Sequence, residues 1–447
     1  KVIVFLLVPI YTRALDPAEY GTYDVVYSTM QMIVSICFFE LWTGTLRFLF
    51  DYSEKRQKDK VIKTTLTLCL PLTLLFVGGA WAAQYWITIS SLPTVILFGI
   101  SYALFNVVNN ICRGTGKNLL YVLSGIISSM GSCGLGVFLI VGLKRGANAL
   151  LWASSVGYLA AVLFVECKEH IVYRALRQKM DWKLGRDIMA FSLPLLVNSV
   201  AFSFLTTYDK GLIANVLGTT ESGYYATVSK FTTALSILGS IFQLAWQEQA
   251  FSISTNGERN KSYETCIAEH IRFMGLAMPI CALALQMLFP ILVGKEYQAA
   301  ATLIPVAIWG TYLSAFSGIV GSLFSAEKKT GVVLVSTIVG AVFNVLIVTT
   351  MLQSVGTEAV NIALAIGFGS MCMIRMITIR RYVTVHYDVR AICLLLFCFI
   401  ECTIAMRLDN QVILLAHLLL YLAIWIAVNH NLLKQLLGRV LGKIVKG

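Results

Sequence analysis

Charged residues are scarce in this sequence: Asp, Glu, Lys and Arg together make up only 13% of its 447 residues. Soluble domains carry about 25% charged residues, so a soluble chain of this length would lack polar surface. Apolar runs of about 20 residues recur along the whole chain, and each can cross a hydrocarbon core about 30 Å thick. The runs are continuously apolar, which disfavours the alternating strands of a membrane β-barrel. We therefore predict an all-α polytopic membrane protein.

Metal-ligand spacings and paired catalytic carboxylates are also missing. The eleven cysteines are scattered, mostly inside the apolar runs, and none forms a Cys-x-x-Cys pair. We expect them to be small apolar residues packed in helices, with no disulfide framework, no metal site and no cofactor. The expected outer loops are short and leave no room for the soluble part of a glycan-processing enzyme. We therefore expect a protein that is not an enzyme.

The apolar runs predict about fourteen transmembrane helices. Their approximate limits are 1–14, 23–48, 62–88, 92–113, 118–142, 147–166, 188–215, 223–250, 266–292, 298–325, 330–353, 357–378, 389–407 and 411–429. One set of alternate loops, together with the C-terminus, holds most of the 35 lysines and arginines, Arg375 among them. By the positive-inside rule, this set and both termini are cytoplasmic. The same bias explains most of the net charge of +12 without nucleic acid.

A phrase near the start of the chain returns half a chain later. LDPAEYGTYDVV, from Leu15, and LGTTESGYYATV, from Leu217, share the aligned pairs Leu15/Leu217, Glu19/Glu221, Gly21/Gly223, Tyr23/Tyr225 and Val26/Val228. In the first copy, Asp16, Pro17 and Glu19 have the pattern of a helix cap, a first helical residue and a capping box. We expect Gly21 and Gly223 to let the chain turn.

The position of the repeat predicts how the chain is organised. Both copies fall in outer loops that are six spans apart, which indicates a parallel repeat related by an axis along the membrane normal. We expect two pseudo-symmetric six-helix bundles around a central cavity. The predicted parts are an N-terminal bundle at 1–166, a cytoplasmic linker at 167–187, a C-terminal bundle at 188–378, two additional helices at 389–429 and an amphipathic cytoplasmic tail at 430–447. The spacing of apolar and basic residues in that tail favours a helix lying on an anionic membrane surface.

Polar residues at helical spacing predict which helix faces are wet. Stripes of Ser, Thr, Asn and Gln run along the helices beside the repeated phrase. The candidates for substrate contact from these stripes and their neighbours are Gln31, Trp42, Asn109, Ser203, Thr206, Gln243 and Gln247. Such residues also serve as packing contacts between membrane helices, and we prefer that interpretation for Ser124 and Ser128 of the fifth span.

Ionisable residues within or at the ends of spans sharpen this hypothesis, because a charge at the bilayer centre costs about 2.5–3.5 kcal/mol. Lys and Arg suit phosphate, and hydroxyl-rich or amide-rich surfaces suit sugars. A phosphate-bearing glycolipid is therefore the predicted ligand. The cationic candidates for its binding are Arg13, Arg47, Arg113, Lys210 and Lys230, and the candidates for ion coupling are Asp24, Glu40 and Asp209.

Three stretches resemble the polysaccharide-exporter family of bacterial flippases, within the multidrug/oligosaccharidyl-lipid/polysaccharide exporter superfamily. They are VPIYTRALDPAEYGTYDVV at 8–26, TGTLRF at 43–48 before a basic loop, and YDKGLIANVLGTTESGYYATVSK at 208–230. The resemblance implies movement of undecaprenyl-diphosphate-linked oligosaccharide, such as an O-antigen, capsule or teichoic-acid precursor, by alternating access. The direction is from the cytoplasmic to the outer leaflet of the bacterial inner membrane. The family's cationic positions match Arg13, Arg47 and Lys210.

The resemblance also implies that spans 1, 2, 7 and 8 line the cavity and that the last two spans form a groove for the lipid tail. The expected partners are the lipid-linked oligosaccharide, the lipid bilayer and the polysaccharide polymerase and glycosyltransferases of the same pathway, with no nucleic acid. One alternative is a multidrug or cation exporter of the same fold, which would need a more acidic and aromatic cavity. The other is a membrane-bound glycan polymerase or ligase, for which the sequence offers no paired carboxylates.

Overall fold

The computed structural model describes residues 2–86, 91–252, 256–327, 329–383, 388–408 and 410–444. Throughout these ranges the chain is nearly all helical and contains no β-strand. The α-helices are α1 Val2–Ala14, α2 Pro17–Cys37, α3 Leu41–Asp51, α4 Lys55–Ala83, α5 Leu92–Gly114, α6 Asn118–Val137, α7 Asn148–Glu169, α8 Ile171–Leu176, α9 Trp182–Thr206, α10 Tyr208–Val216, α11 Thr219–Ser252, α12 Asn256–Glu269, α13 Leu276–Leu292, α14 Ile304–Ala326, α15 Thr330–Val355, α16 Glu358–Ile379, α17 Val389–Arg407 and α18 Gln411–Ile444. The predicted all-α membrane class is confirmed.

Each predicted span coincides with a helix or with a broken pair of helices. Eleven helical segments in the described part of the chain are long and apolar enough to cross a membrane, and the bent pair α2 and α3 makes a twelfth. Beyond these, α1 has 13 residues and α11 has 34 residues. The predicted number of fourteen is compatible with this arrangement and stays a prediction.

Two of the spans are interrupted. Between α2 and α3 the chain bends by 53°, and Phe39 and Glu40 both have a φ of 51° in the left-handed region. Non-glycine residues rarely adopt this region, so two in succession indicate a break held by the surrounding structure. The second interruption is at Thr207, between α9 and α10. Broken helices inside a membrane occur where backbone lines a cavity or is buried in protein.

Two compact units make up the chain, Lys1–Ala226 and Thr227–Gly447, and the boundary falls inside α11. In the first unit, α5 packs against α3 and α7, and α7 packs against α6. Its core includes Phe38, Leu49, Val107 and Ile111. In the second unit, α16 packs against α14 and α15, and α13 packs against α18. The predicted division into two six-helix bundles, and the cavity between them, stay predictions.

Within the first unit, the two copies of the repeated phrase meet at their glycines. Gly21 lies inside α2 and Gly223 inside α11, so the expectation that they let the chain turn is wrong. A Cβ on Gly21 would lie 2.2 Å from the carbonyl oxygen of Thr219, and one on Gly223 would lie 1.9 Å from that of Pro17. The glycines are needed because two helix starts approach each other through their backbones. Asp16 caps α2 as predicted, and its Oδ1 accepts from the Glu19 N–H at 2.8 Å.

The second unit buries one arginine that the sequence assigns to a cytoplasmic loop. Arg375 lies inside α16 and is only 3% exposed. Its guanidinium donates to the backbone oxygen and hydroxyl of Ser317 at 2.6 and 2.8 Å, to the hydroxyls of Ser336 and Thr337 at 2.8 and 3.1 Å, and to the Val333 carbonyl oxygen at 3.4 Å. Arg375 therefore joins α14, α15 and α16. The prediction that it lies in a loop is wrong, because oxygens inside the bundle accept hydrogen bonds from its donors.

The C-terminal region forms α17 and α18. α18 continues without interruption past the predicted last span to Ile444, so the predicted tail is an extension of that helix. Lys434 is exposed, while all other side chains of 431–444 and the whole of 445–447 lie outside the described part of the chain. The predicted amphipathic docking of this tail stays a prediction.

Candidate functional site

The first unit contains a buried ion pair between a broken span and its neighbour. The Lys210 Nζ lies 2.6 Å from Oδ2 of Asp24, and it donates to the Ser28 hydroxyl at 2.9 Å. The Lys210 side chain is 13% exposed and that of Asp24 is 1% exposed. The sequence assigns Lys210 to substrate binding and Asp24 to ion coupling. The structure brings these two residues together in one contact.

Local sequence explains why these groups meet. The Asp16 cap and Pro17 start α2, and Asp24 and Ser28 then follow four residues apart on one face of the helix. The break at Thr207 starts α10, which packs against α2 and carries Lys210 in its first turn. The positions at which α2 and α10 begin thus bring the Asp24 carboxylate and the Lys210 ammonium group into contact.

A second carboxylate lies beside this pair in the chain. Asp209, a predicted coupling residue, is fully buried in the first turn of α10. Tyr225, from the second copy of the repeated phrase, is buried and lies within electrostatic range of both Asp24 and Asp209. Negative charge near a helix N-terminus is favoured by the helix dipole, which suits the position of Asp209. We call Asp24, Ser28, Asp209, Lys210 and Tyr225 the ion-pair cluster.

Glu40, the third coupling candidate, occupies the break between α2 and α3. Its Oε2 accepts from the Thr43 hydroxyl at 3.0 Å, and Ser199 and Trp42 lie near the carboxylate. Ser199 is on α9, so the break in the second span lies against the seventh span. Glu40 is therefore separate from the ion-pair cluster in its hydrogen bonds. It lies at the break of the second span, whereas Asp209 and Lys210 follow the break of the seventh span.

An aromatic cluster lies beside these groups in the first unit, and the sequence analysis missed most of it. The hydroxyls of Tyr27 and Tyr158 are 3.0 Å apart, and Phe98 and Tyr102 stack with ring centroids 6.0 Å apart. Trp42, a predicted substrate contact, is buried with its ring edge-on to Tyr102. The signal that could have revealed Tyr27 is its spacing four residues after Tyr23 and three after Asp24, on the faces already singled out.

Two of the remaining cationic candidates, Arg47 and Arg113, have described partners outside the ion-pair cluster. Arg47 pairs with Asp51 one turn along α3, and its side chain is 53% exposed. Arg113 ends α5 with its guanidinium carbon 5.4 Å from the ring centre of Tyr121. Arg13 is exposed in the last turn of α1. Lys230 is half-buried in α11 and belongs to the second unit.

The polar candidates divide between packing and partly open positions. Asn109 accepts from the Ser124 hydroxyl at 2.5 Å, which joins α5 to α6 and confirms the packing role predicted for Ser124. Gln243 donates to the Gly318 carbonyl oxygen at 3.1 Å, which joins α11 to α14. The hydroxyls of Ser203 and Thr206 bond to carbonyl oxygens of their own helix. Gln31 is half-buried in α2, and the side chain of Gln247 lies outside the described part of the chain.

The geometry limits what the cluster can do chemically. An ammonium group has three donors, and a second anion can take the place of the carboxylate as one of its partners. A carboxylate that loses its ammonium partner inside the protein gains from binding a proton or a cation. The cluster can thus exchange one anionic partner of Lys210 for another.

Comparison with known proteins places these observations in a wider context. Residues 1–246 match a family described as polysaccharide biosynthesis protein, and no curated protein matches the chain. The fold is similar to that of "Lipid II flippase MurJ" in an inward closed conformation, with 13% identity, 98% of this chain and 97% of that chain covered, and a TM-score of 0.68.

Two structures, each described as a multidrug resistance MATE family transporter of the MOP superfamily, are also similar in fold. For the inward-facing structure the identity is 17%, the coverage 85% of this chain and 98% of that chain, and the TM-score 0.61. For the outward-facing structure the values are 16%, 85% and 94%, and 0.55. At these identities the similarity shows a shared fold alone.

Proposed function

Since the chain belongs to the polysaccharide biosynthesis protein family, we propose that it is a flippase for undecaprenyl-diphosphate-linked oligosaccharide. It moves this cell-surface polysaccharide precursor from the cytoplasmic to the outer leaflet of the bacterial inner membrane by alternating access. Both termini are cytoplasmic in this proposal. The protein changes the position of its substrate and no covalent bond, so it is not an enzyme.

One observation carries the proposal: a buried lysine of the seventh span is held by an aspartate and a serine of the second span, Asp24 and Ser28. A cation that is kept at a helix break, with hydroxyl and phenol groups around it, suits a ligand with a phosphate and a sugar. The tyrosines of the neighbouring aromatic cluster combine an apolar ring face with a hydroxyl that can bond to sugar hydroxyls.

The mechanism that we propose is an exchange of anions at Lys210. The diphosphate of the substrate replaces Asp24 as the partner of the ammonium group, and Asp24 then takes up a proton or a cation. When the substrate leaves on the other side, Asp24 loses that ion and pairs with Lys210 again. Substrate binding and ion coupling are then two states of one contact. Arg13, Arg47 and Arg113 are further phosphate contacts in this proposal.

The direction of movement has a simple electrostatic basis. An inside-negative membrane potential contributes about 2.3 kcal/mol per charge per 100 mV. It favours outward passage of an anionic head group. A proton or cation that Asp24 carries outward with the substrate cancels one unit of that charge and reduces this driving force accordingly. The lipid tail stays in the bilayer, where α17 and α18 would provide its groove.

The first experiment measures binding to the purified full-length chain in nanodiscs. We expect an undecaprenyl diphosphate analogue to bind, with affinity reduced by salt because the contact is between charges. Organic cations serve as the competing ligand class. Binding of organic cations without binding of the diphosphate lipid would refute the proposed substrate and support the cation exporter.

A set of variants at the ion pair then tests the mechanism. Lys210→Ala alone leaves a buried carboxylate without this partner, and removing one member of a buried pair costs about 3–5 kcal/mol. The double variant Asp24→Asn with Lys210→Met is neutral and of similar volume, so we expect normal amounts of folded protein but no diphosphate binding and no glycan export. Asp24→Asn alone also removes one member of the buried pair and should lower stability as Lys210→Ala does, but it removes the competing charge, so the folded protein should bind the diphosphate more tightly. Normal export by the double variant would remove Lys210 from the site.

The alternative of a multidrug or cation exporter has one observation in its favour: Asp24 and Asp209 are both buried carboxylates close to tyrosine rings. Such a pair could hold an organic cation if Lys210 moved away. The binding comparison above separates the two functions. A glycan polymerase or ligase is tested by mass analysis of the glycolipid in vesicles, because a flippase leaves its mass unchanged.

A further inference from the structure

A second ionisable cluster lies in the other unit, on the last two spans. Oε1 of Glu401 on α17 is 2.6 Å from Nε2 of His417 on α18. The other ring nitrogen, Nδ1, is 2.7 Å from the carbonyl oxygen of Ile413. The Tyr421 hydroxyl is shared between Oε2 of Glu401 and the Cys398 carbonyl oxygen, which is 3.0 Å away. None of these side chains belongs to the ion-pair cluster.

The three groups lie well inside the spans. Glu401 is six residues from Arg407 at the end of α17, and His417 is six residues from Gln411 at the start of α18. At 1.5 Å per residue, each is about 9 Å from the end at which the two helices are connected. The Glu401 and His417 side chains are 31% and 24% exposed, so neither is fully enclosed by the surrounding helices.

The geometry requires a proton between Glu401 and His417. A carbonyl oxygen only accepts, so Nδ1 carries a hydrogen toward Ile413. Nε2 then faces a carboxyl oxygen at 2.6 Å. Either Nε2 carries a second hydrogen and the ring is an imidazolium beside a carboxylate, or the carboxyl is protonated and donates to a neutral ring. In both forms the pair holds one proton more than a neutral imidazole beside a carboxylate, and its net charge is zero.

The surroundings contain few competing charges. The nearby ionisable groups in the described parts of α17 and α18 and of the elements packed against them are neutral. They are the Cys281 thiol, the Tyr312 phenol, the His270 ring and, on α17 itself, the thiols of Cys398 and Cys402. The full charges lie at the span ends. They are Arg272 paired with Asp388, Arg407 paired with Glu358, and the side chains of Arg390 and Lys434. Among the described residues of α17, α18 and the helices packed against them, Glu401 and His417 therefore determine the net charge between the span ends.

We propose that Glu401, His417 and Tyr421 form a proton-binding site on the two C-terminal spans. The described arrangement is the proton-loaded form, in which the site is neutral and joins α17 to α18. Release of the proton leaves a net negative charge within the bilayer and brings two lone pairs face to face, which costs free energy and loosens α18 from α17. Proton occupancy thus controls the contact between these helices. The proposal does not depend on the molecule that the protein transports.

Infrared difference spectroscopy of the full-length chain in nanodiscs tests this site directly. We expect a carboxyl or imidazole signal that titrates in the wild-type protein and is absent in Glu401→Gln. His417→Asn should displace the midpoint of the carboxyl titration, since it removes the group that shares the proton. Glu358→Gln is the matched control, because Glu358 pairs with Arg407 at the span end, and it should leave the signal unchanged.

The outcomes are decisive in either direction. Identical titrations of the wild-type protein and Glu401→Gln, or an unchanged midpoint in His417→Asn, would overturn the proposal. If Glu401→Gln does not fold, nitrogen NMR of the histidine-labelled wild-type chain replaces it, with the His417 resonance assigned as the one missing from His417→Asn. A His417 ring that keeps one protonation state from acidic to alkaline pH would overturn the proposal, and a ring that titrates supports it.

Discussion

The close approach of Gly21 and Gly223 makes a prediction whose size follows from the structure. A Cβ on Gly223 would lie 1.9 Å from the Pro17 carbonyl oxygen, whereas even close C–H···O contacts keep carbon and oxygen about 3.3 Å apart. In Gly223→Ala, α2 must therefore retreat from α11 by about 1.4 Å. The obstacle is backbone, so no side-chain rotation relieves it.

The expected cost is the difference between two known effects. Overpacking costs about 1–3 kcal/mol, and a rigid backbone contact belongs at the upper end of that range. Replacing glycine by alanine within a helix returns about 1 kcal/mol through helix propensity. Gly223→Ala should therefore lower the free energy of unfolding by about 2 kcal/mol. Gly21→Ala should do the same, and the double variant should cost less than the sum because both relieve the same contact.

Matched controls are available in the same unit. Gly125 and Gly134 lie inside α6, and an added Cβ at either position meets nothing within 4 Å. Gly134→Ala should gain up to about 1 kcal/mol, so the two alanine variants should differ by about 3 kcal/mol. Reversible unfolding of the purified protein in micelles measures this difference. If Gly223→Ala unfolds at the same free energy as Gly134→Ala, the contact between the repeated phrases is not as described.

Three further predictions follow from charges elsewhere. Arg375→Lys should lose at least two hydrogen bonds of the guanidinium, each worth about 1.5 kcal/mol for a charged donor. A free energy of unfolding within about 1 kcal/mol of wild type would contradict the role of Arg375 between three helices. Arg47→Ala removes only an exposed pair with Asp51, so the protein should accumulate normally while surface glycan is lost, and normal glycan would remove Arg47 from the proposed site. The hydrogen bond from the Arg272 side chain holds the pKa of Asp388 below its usual range. The stability from this contact is therefore present above the unfolded-state pKa of Asp388 and is lost as the pH falls through its folded-state pKa. Asp388→Asn should abolish that acid-dependent loss, as measured by unfolding at a series of pH values, whereas the control Glu358→Gln, which removes the partner of Arg407, should keep it.

The spans were predictable because hydropathy over about 20 residues is a local property of the sequence. The break at Phe39 and Glu40 was not, because no proline or glycine marks it and the left-handed backbone there depends on neighbouring helices. The repeated phrase shows the same contrast between local features, which the sequence predicts, and long-range contacts, which it does not. Asp16 could be identified from the residues around it, whereas the roles of Gly21 and Gly223 depend on a contact between segments that are half a chain apart.

The candidate site was predictable in its residue types and unpredictable in its pairing. The sequence indicates that Asp24, Asp209 and Lys210 are charged residues in costly positions, since each interrupts an apolar run. It cannot indicate that Asp24 reaches Lys210, because the contact joins the second and seventh spans. Arg375 shows the opposite error: a basic residue near the end of a span was assigned to a loop, although three helices provide it with oxygens.

The pairing changes how the positive charge of the site should be understood. An interpretation based on the sequence alone adds the cationic residues and expects a net positive chamber. Lys210 is compensated by Asp24, and Arg47 by Asp51, so a simple excess of positive charge does not describe these two positions. In the proposed exchange a compensated pair is nevertheless useful, because Asp24 competes with the substrate for Lys210. Each departure of the substrate is then assisted by the return of the internal partner. Asp24→Asn should therefore bind more tightly and transport more slowly, a combination that an excess of positive charge does not predict.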